Sequence, residues 1–207
     1  DAAGLTSFSQ DHLDFHGTME AYLAAKCLLP SHYLKPGGAV VAAVDDQPAA
    51  AAFLAAAPAG ARVWRASRGA DPAAELLASS VMVEQTGLSA QVETPAGRLV
   101  LRSPLVGAFN LDNLLVAIGL GLGLGVALTT IGAALQTCRG APGRLERVQV
   151  PGVAGPTVLV DYAHTPDAVA RALQAVRPAC RGRLFVVLGC GGDRDPGKRA
   201  PMGELAA

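Results

Sequence analysis

The chain has 207 residues, and its 17 basic and 17 acidic side chains cancel to zero formal charge. That balance argues against a dedicated nucleic-acid or polyanion binder, which needs a basic excess to displace counterions. With 51% apolar, 16% charged and 4% aromatic residues, the chain can bury a core made mostly of Ala, Val and Leu, which excludes general disorder.

The 24 glycines and 14 prolines favour short elements separated by many turns. In chain order, Leu5 to Ser9 reads as the end of a strand. A polar turn follows, then a helix from about Thr18, a suitable N-cap, to Leu29, where Pro30 disturbs it. Ala39 to Val44 is an apolar run bounded by Gly37-Gly38 and Asp45-Asp46, which predicts a buried parallel strand. An Ala-rich helix from Gln47 to about Ala57 and a strand at Arg62 to Arg65 complete a βαβ rhythm and indicate an α/β layer. From Ser80 to Val106 the pattern predicts strand, turn and strand, with Pro95-Ala-Gly97 at the hairpin.

Leu114 to Leu135 carries no charge and is long enough to span a bilayer. Its glycines at 119, 121, 123, 125 and 132, and Thr129-Thr130, predict instead two short buried helices joined by a Gly-rich turn, with no membrane span. The alternating glycines look superficially like the dinucleotide fingerprint GxGxxG/A, but Val126 occupies the third position and no strand precedes the run. Arg139 to Gly143 reads as a linker. Beyond it the pattern predicts strand (Leu145 to Val150), loop, strand (Thr157 to Val160), helix (Pro166 to Arg177), strand (Leu184 to Leu188), a glycine loop and a helix start, which together make a second α/β unit. Cys27, Cys138, Cys180 and Cys190 form no CxxC pair, which fits a reducing cytoplasm. The first residues lack the basic start and apolar core of a signal peptide and read as the middle of a longer protein.

Four clusters carry chemistry. Asp11-His12-Leu13-Asp14-Phe15-His16 gathers two carboxylates and two imidazoles, which suits either a divalent metal or a solvated polar turn. Lys26 lies in the apolar stretch Ala24 to Leu29, either as a lysine that snorkels to water or as an amine made reactive by its surroundings. Asn110 and Asn113 stand one helical turn apart in Gly107-Ala-Phe-Asn-Leu-Asp-Asn113. Asn110 suits an N-cap, and Asn113 is either a polar helix residue or an amide that reads a purine edge. The fourth cluster comprises Gly143-Arg-Leu-Glu146, Asp161-Tyr-Ala-His-Thr-Pro166 and Gly189-Cys-Gly-Gly-Asp-Arg-Asp-Pro-Gly-Lys-Arg199. The last contains Gly192-x4-Gly197-Lys198 but continues with Arg199, so the P-loop hydroxyl that would ligate Mg²⁺ is missing. Arg194, Lys198 and Arg199 still suit an anionic ligand.

The strings SQDHLDFHGTMEAYLAAK, GAFNLDN, GRLERV, VLVDYAHTPDA and LGCGGDRDPGKR, in this order and over almost the whole chain, resemble the Mur ligases. DYAHTPDA together with GCGGDRDPGKR is most similar to the MurE type, which adds the third peptide residue of the peptidoglycan precursor. The resemblance implies an α/β fold in which residues 1–141 are the later part of a central P-loop-type ATPase domain. Residues 142–207 would then begin a Rossmann-like C-terminal domain. It also implies a cytoplasmic, monomeric ligase that uses ATP and Mg²⁺ to join UDP-N-acetylmuramoyl-dipeptide to a diamino acid, meso-diaminopimelate or lysine, through an acyl phosphate. The alternatives are another Mur ligase, a folylpolyglutamate synthetase-like ligase, or a nucleotide-binding module without catalysis.

Carried onto these positions, the resemblance makes His12 a Mg²⁺ ligand and Lys26 an N6-carboxylysine, whose carbamate is an oxygen donor for a hard cation. Asn113 matches an adenine-reading amide and Arg144 a nucleotide-phosphate contact. Asp161 and His164 lie where the family's third domain meets nucleotide and substrate, and Arg194 matches the arginine that grips a carboxylate of the incoming diamino acid. Ser7 and Ala43 stand where family members often carry asparagine. The family's P-loop and UDP-sugar domain belong upstream of Asp1 and its DNPR-type specificity segment downstream of Ala207, so residues 1–207 alone are expected to be inactive.

Overall fold

The computed structural model describes residues 1–9, 13–45, 47–84, 86–148, 155–190 and 196–207. They form two compact units. One comprises Asp1–Met82, Ser89–Ser103 and Phe109–Thr137, and the other Val83–Leu88, Pro104–Ala108 and Cys138–Ala207.

A six-stranded sheet runs in chain order through β1 (Ala2–Leu5), β2 (Ala39–Ala43), β3 (Arg62–Ser67), β4 (Leu76–Glu84), β5 (Gly87–Thr94) and β6 (Gly97–Ser103). The first four are parallel, with registers from Ala2↔Ala39, Ala39↔Arg62 and Ala66↔Leu76. Every residue of β2 is buried, as an all-apolar AVVAA run requires when both faces of a parallel strand are covered. Helices α1 (Leu13–His16) and α2 (Met19–Leu28) connect β1 to β2, and α3 (Ala49–Ala55) connects β2 to β3. Thr18 caps α2 in extended conformation, its hydroxyl accepting from the Ala21 N–H at 3.2 Å. Pro30 does not stop the chain outright. It is buried in a π turn, Leu29–Tyr33, that prolongs α2.

Two strand limits differ from the sequence reading. β1 lies at Ala2–Leu5, ahead of the expected Leu5 to Ser9, because Ala3 and Leu5 are the buried pair and Thr6 to Ser9 have left the ladder. β4 starts at Leu76, earlier than Ser80, since Leu76 and Ala78 are buried beside β3.

The uncharged stretch forms two helices, α4 (Phe109–Gly123) and α5 (Leu128–Thr137), and among the described residues no helix is long and apolar enough to cross a membrane. Its alternating glycines are packing surfaces. A Cβ on Gly119 would meet Val41 Cγ1 at 2.8 Å, and one on Gly123 would meet Ala39 Cβ at 2.6 Å, so these two let α4 lie on β2. Gly121 faces the other way, where a Cβ would stand 2.8 Å from Ile131 Cδ1 on α5. Arg62 closes the end of α4, its Nη2 donating to the Gly123 carbonyl at 2.8 Å.

In the other unit, β7 (Glu146–Val148) and β8 (Val158–Val160) pair antiparallel, and α6 (Pro166–Val176) and α7 (Arg199–Ala206) follow. Thr165 caps α6, accepting from the Ala168 N–H at 3.2 Å, with Pro166 in the first turn. The strand expected at residues 184–188 is not formed. Its residues have strand propensity, but a strand exists by its ladder, and here Phe185 is 74% exposed and Val187 wholly so.

Gly123→Ala is expected to destabilise the protein by about 1–2 kcal/mol in urea unfolding. Overpacking costs roughly 1–3 kcal/mol, whereas the helix-propensity gain of Ala over Gly is smaller, roughly 0.5–1 kcal/mol. Unchanged or higher stability would show that α4 does not lie this close to Ala39.

Candidate functional site

Open parallel sheets hold ligands outside the carboxyl ends of their strands. There, just past β2, Asp45 is buried and accepts from Ser67 Oγ at 2.8 Å and from the backbone N–H of Arg68, both at the end of β3. Ser67 Oγ in turn accepts from the N–H groups of Gly69 and Asp71, each at 3.0 Å. The Arg68 guanidinium reaches from the Asp45 carboxylate, 3.8 Å away, to Asp112 in the first turn of α4, at 2.9 Å. β2, β3 and α4 are thereby tied at one edge by a charge cluster.

The loop after β3 is held from its other side by Arg65. Its backbone N–H donates to Glu75 Oε2 at 2.8 Å, its Nη2 donates to Glu75 Oε1 at 3.1 Å and to the Ala73 carbonyl, and Nη1 pairs with Asp71 at 3.2 Å. Burial pushes the Glu75 carboxyl upward, but the Arg65 side-chain and backbone hydrogen bonds outweigh it and hold the group below its ordinary value. The same hydrogen bond and charge hold the Arg65 guanidinium above its own.

One residue past Asp112, Asn113 is exposed, and its Nδ2 donates to Oδ1 of the buried Asn110 at 3.0 Å. That bond fixes the orientation of the amide. It leaves Asn113 with one acceptor oxygen and one further N–H, the complementary pair that an adenine edge takes.

Lys26 is exposed on α2, with its Nζ 5.1 Å from the centre of the Tyr22 ring. Tyr22 also stacks on His16, with centroids 4.9 Å apart, and meets Phe8 at 5.0 Å. Among the described residues Lys26 makes no ion pair, and no group of three His, Cys, Asp or Glu side chains is gathered that could hold a metal ion.

In the second unit the GRLE and DYAH segments come together. Asp161, just after β8, accepts from the N–H groups of Leu145 and Ala163, each at 2.8 Å. Tyr162 donates its N–H to the Gly143 carbonyl at 2.7 Å, and Glu146 accepts from the Gly143 N–H at 2.8 Å. The Arg144 guanidinium lies 5.3 Å above the Tyr162 ring, and the His164 ring is 5.0 Å from it on the same loop. Nδ1 of His164 is 3.0 Å from the Tyr162 carbonyl, so in the neutral imidazole the proton sits on Nδ1 and Nε2 is left as an acceptor. All three side chains are exposed, as a site for an anionic ligand requires.

Of the expected site residues, Arg144, Asp161 and His164 are thus gathered in one unit, while Asn113 and Lys26 belong to the other. His12 and Arg194 lie outside the described residues. Sequence reading missed Asp45, Ser67, Arg68 and Asp112 as a cluster, and treated Asp45 only as the boundary of a strand. The usable signal was position, because polar residues directly after consecutive buried parallel strands stand where such sheets bind ligands. Tyr162 was also missed, as the ring that carries both Arg144 and His164.

A family model of the Mur ligase middle domain matches residues 1–121, and one of the Mur ligase glutamate ligase domain matches residues 143–207. The chain is 47% identical to the UDP-N-acetylmuramoyl-L-alanyl-D-glutamate--2,6-diaminopimelate ligase of Parasynechococcus marenigrum (strain WH8102), over 99% of this chain and 41% of that protein. It is 45% identical to the protein of the same name from Nostoc sp. (strain PCC 7120 / SAG 25.82 / UTEX 2576), over 98% of this chain and 40% of that one. A solved structure of a UDP-N-acetylmuramoyl-L-alanyl-D-glutamate--2,6-diaminopimelate ligase superposes with a TM-score of 0.76 at 31% identity, covering all of this chain and 41% of the other. The chain therefore spans about two fifths of the length of the relatives it matches. With matching models over both units, the chain belongs to the Mur ligase family.

Proposed function

We propose that the intact protein is a cytoplasmic, ATP-dependent ligase that adds 2,6-diaminopimelate to UDP-N-acetylmuramoyl-L-alanyl-D-glutamate during peptidoglycan precursor synthesis. The observation that carries this reading is the identity of 45–47%, along essentially the whole chain, to ligases named for that reaction. The oriented amide of Asn113 and the exposed Arg144 supply contacts that an adenine nucleotide needs. The four described cysteines are free, which agrees with a reducing compartment. We put the boundary between the central and C-terminal domains at residues 141–142.

In this reaction the γ-phosphoryl group of ATP passes to the terminal carboxylate of the dipeptide, giving an acyl phosphate and ADP. The amine of diaminopimelate attacks the acyl carbon, the tetrahedral intermediate expels phosphate, and the amide remains. Such phosphoryl transfer is mostly positioning and charge neutralisation. Asn113 binds the adenine edge by its paired acceptor and N–H, and Arg144 meets the nucleotide phosphates. His164 presents Nε2 as an acceptor, and Arg194 takes a carboxylate of the incoming diamino acid.

Lys26 fits a role at a metal. Its exposed amine, which makes no ion pair among the described residues, is accessible to CO₂. N–C bond formation with loss of a proton turns it into a carbamate, an oxygen donor suited to Mg²⁺. Carbamylated Lys26 and His12 would hold the ion, which neutralises charge at the phosphates being transferred.

In the intact protein, release of ADP and phosphate is expected to require both UDP-N-acetylmuramoyl-L-alanyl-D-glutamate and 2,6-diaminopimelate. Turnover that ignores the dipeptide, or that runs equally well with lysine, would contradict the reading. Peptide mass spectrometry in bicarbonate is expected to find Lys26 carrying one CO₂, with activity falling when CO₂ is depleted. An unmodified Lys26 with CO₂-insensitive activity would remove the carbamate from the account.

A further inference from the structure

Leu145 has φ +46°, in the left-handed region where a residue with a Cβ is strained. Its side chain is buried, at 6% exposure, so the strain is not relieved by letting the residue swing out. Asp161 holds it there through the Leu145 N–H···Oδ2 bond, while its Oδ1 takes the Ala163 N–H. The bond from Tyr162 N–H to the Gly143 carbonyl adds a third tie between residues 143–145 and 161–163. These ties lie directly past the β7–β8 ladder, whose register ends at Glu146↔Val160, so Leu145 and Asp161 are the next facing pair.

Arg144 stands between two left-handed residues, Gly143 at φ +66° and Leu145 at φ +46°. Its direction, over the Tyr162 ring, is set by that unusual backbone. A Leu145 returned to the right-handed region would turn the peptide that follows Arg144 and carry the guanidinium off the ring. Both oxygens of Asp161 already accept backbone N–H groups, which is the work of a group that shapes a loop.

We propose that Asp161 is a positioning residue whose carboxylate locks Leu145 in the left-handed conformation and thereby aims Arg144, along the Tyr162 ring, at the nucleotide phosphates. This rests on the reading of Arg144 as a phosphate contact. The alternative is a direct contact between Asp161 and the nucleotide.

The test is a double-mutant cycle in the intact enzyme, reading KM for ATP against kcat, with the melting temperature of each variant recorded. Arg144→Ala and Asp161→Ala are each expected to raise KM for ATP about tenfold, the usual size for a charge-assisted contact, with kcat much less affected. The double variant should be no more than about twofold worse than Arg144→Ala, because coupled residues are not additive. Leu145→Gly placed in the Asp161→Ala background should recover part of the lost affinity, since glycine adopts positive φ without strain. Asp161→Asn, which keeps one acceptor oxygen, should lie between the wild type and Asp161→Ala, and it carries the cycle if the alanine variant does not fold. Independent, multiplying losses in the double variant, or no recovery by glycine, would overturn the positioning role while leaving Arg144 as a nucleotide contact. An unchanged KM for Arg144→Ala would overturn the reading of Arg144 itself, and the positioning role with it.

Discussion

Helix α4 approaches β2 so closely that a single methyl group at Gly123 would stand 2.6 Å from Ala39 Cβ, and one at Gly119 would stand 2.8 Å from Val41. Protein interiors are packed like organic crystals, so a contact this tight fixes the helix axis against the sheet and leaves little freedom of rotation. The far end of the same helix carries Asp112 and Asn113. Where β2 and β3 end, the Asp45–Arg68–Asp112 cluster continues the attachment by charge, after the glycines have made it by shape. The Asn113 amide is exposed on a rigid support, with Asn110 selecting its orientation. The stability of the sheet and the readiness of this amide therefore have one origin.

The second unit solves a similar problem with backbone geometry. The Arg144–Tyr162–His164 cluster is built on short loops that leave a two-stranded ladder, where side-chain direction is normally poorly determined. Hydrogen bonds from Leu145, Ala163 and Tyr162 replace the missing regular structure. A strained leucine persists because its side chain is buried on one side of the chain and its N–H is held on the other.

Much of this was legible in the residues. The Ala39 run, bounded by turn and acidic residues, announced a buried parallel strand, and Thr18 announced the start of α2, because both signals are local. The helical reading of Leu114 to Leu135 also held, but the purpose of its glycines did not show. Which residue a missing Cβ makes room for is a tertiary fact, and Ala39 and Ile131 lie far from these glycines in sequence or on another helix. Arg68 was invisible for the same reason, since its carboxylates come from the ends of β2 and the start of α4. Residues 184–188 failed in the opposite direction. Their apolar, β-branched character is a propensity, and propensity without a neighbouring strand does not make a ladder. The motifs DYAH and GRLE meet in one place, where Asp161 holds backbone groups and the Tyr162 ring lies against both Arg144 and His164.

The central claim is that α4 delivers a preoriented amide to an adenine nucleotide. Its most direct test is the preference of the intact enzyme for ATP over GTP, measured as a ratio of kcat/KM values, in the wild type and in Asn113→Ala. The account predicts that the variant stays folded and loses about tenfold or more of that preference, as one bidentate amide-to-adenine contact is worth roughly 1–3 kcal/mol of discrimination. An undiminished preference for ATP in a folded Asn113→Ala protein would contradict it.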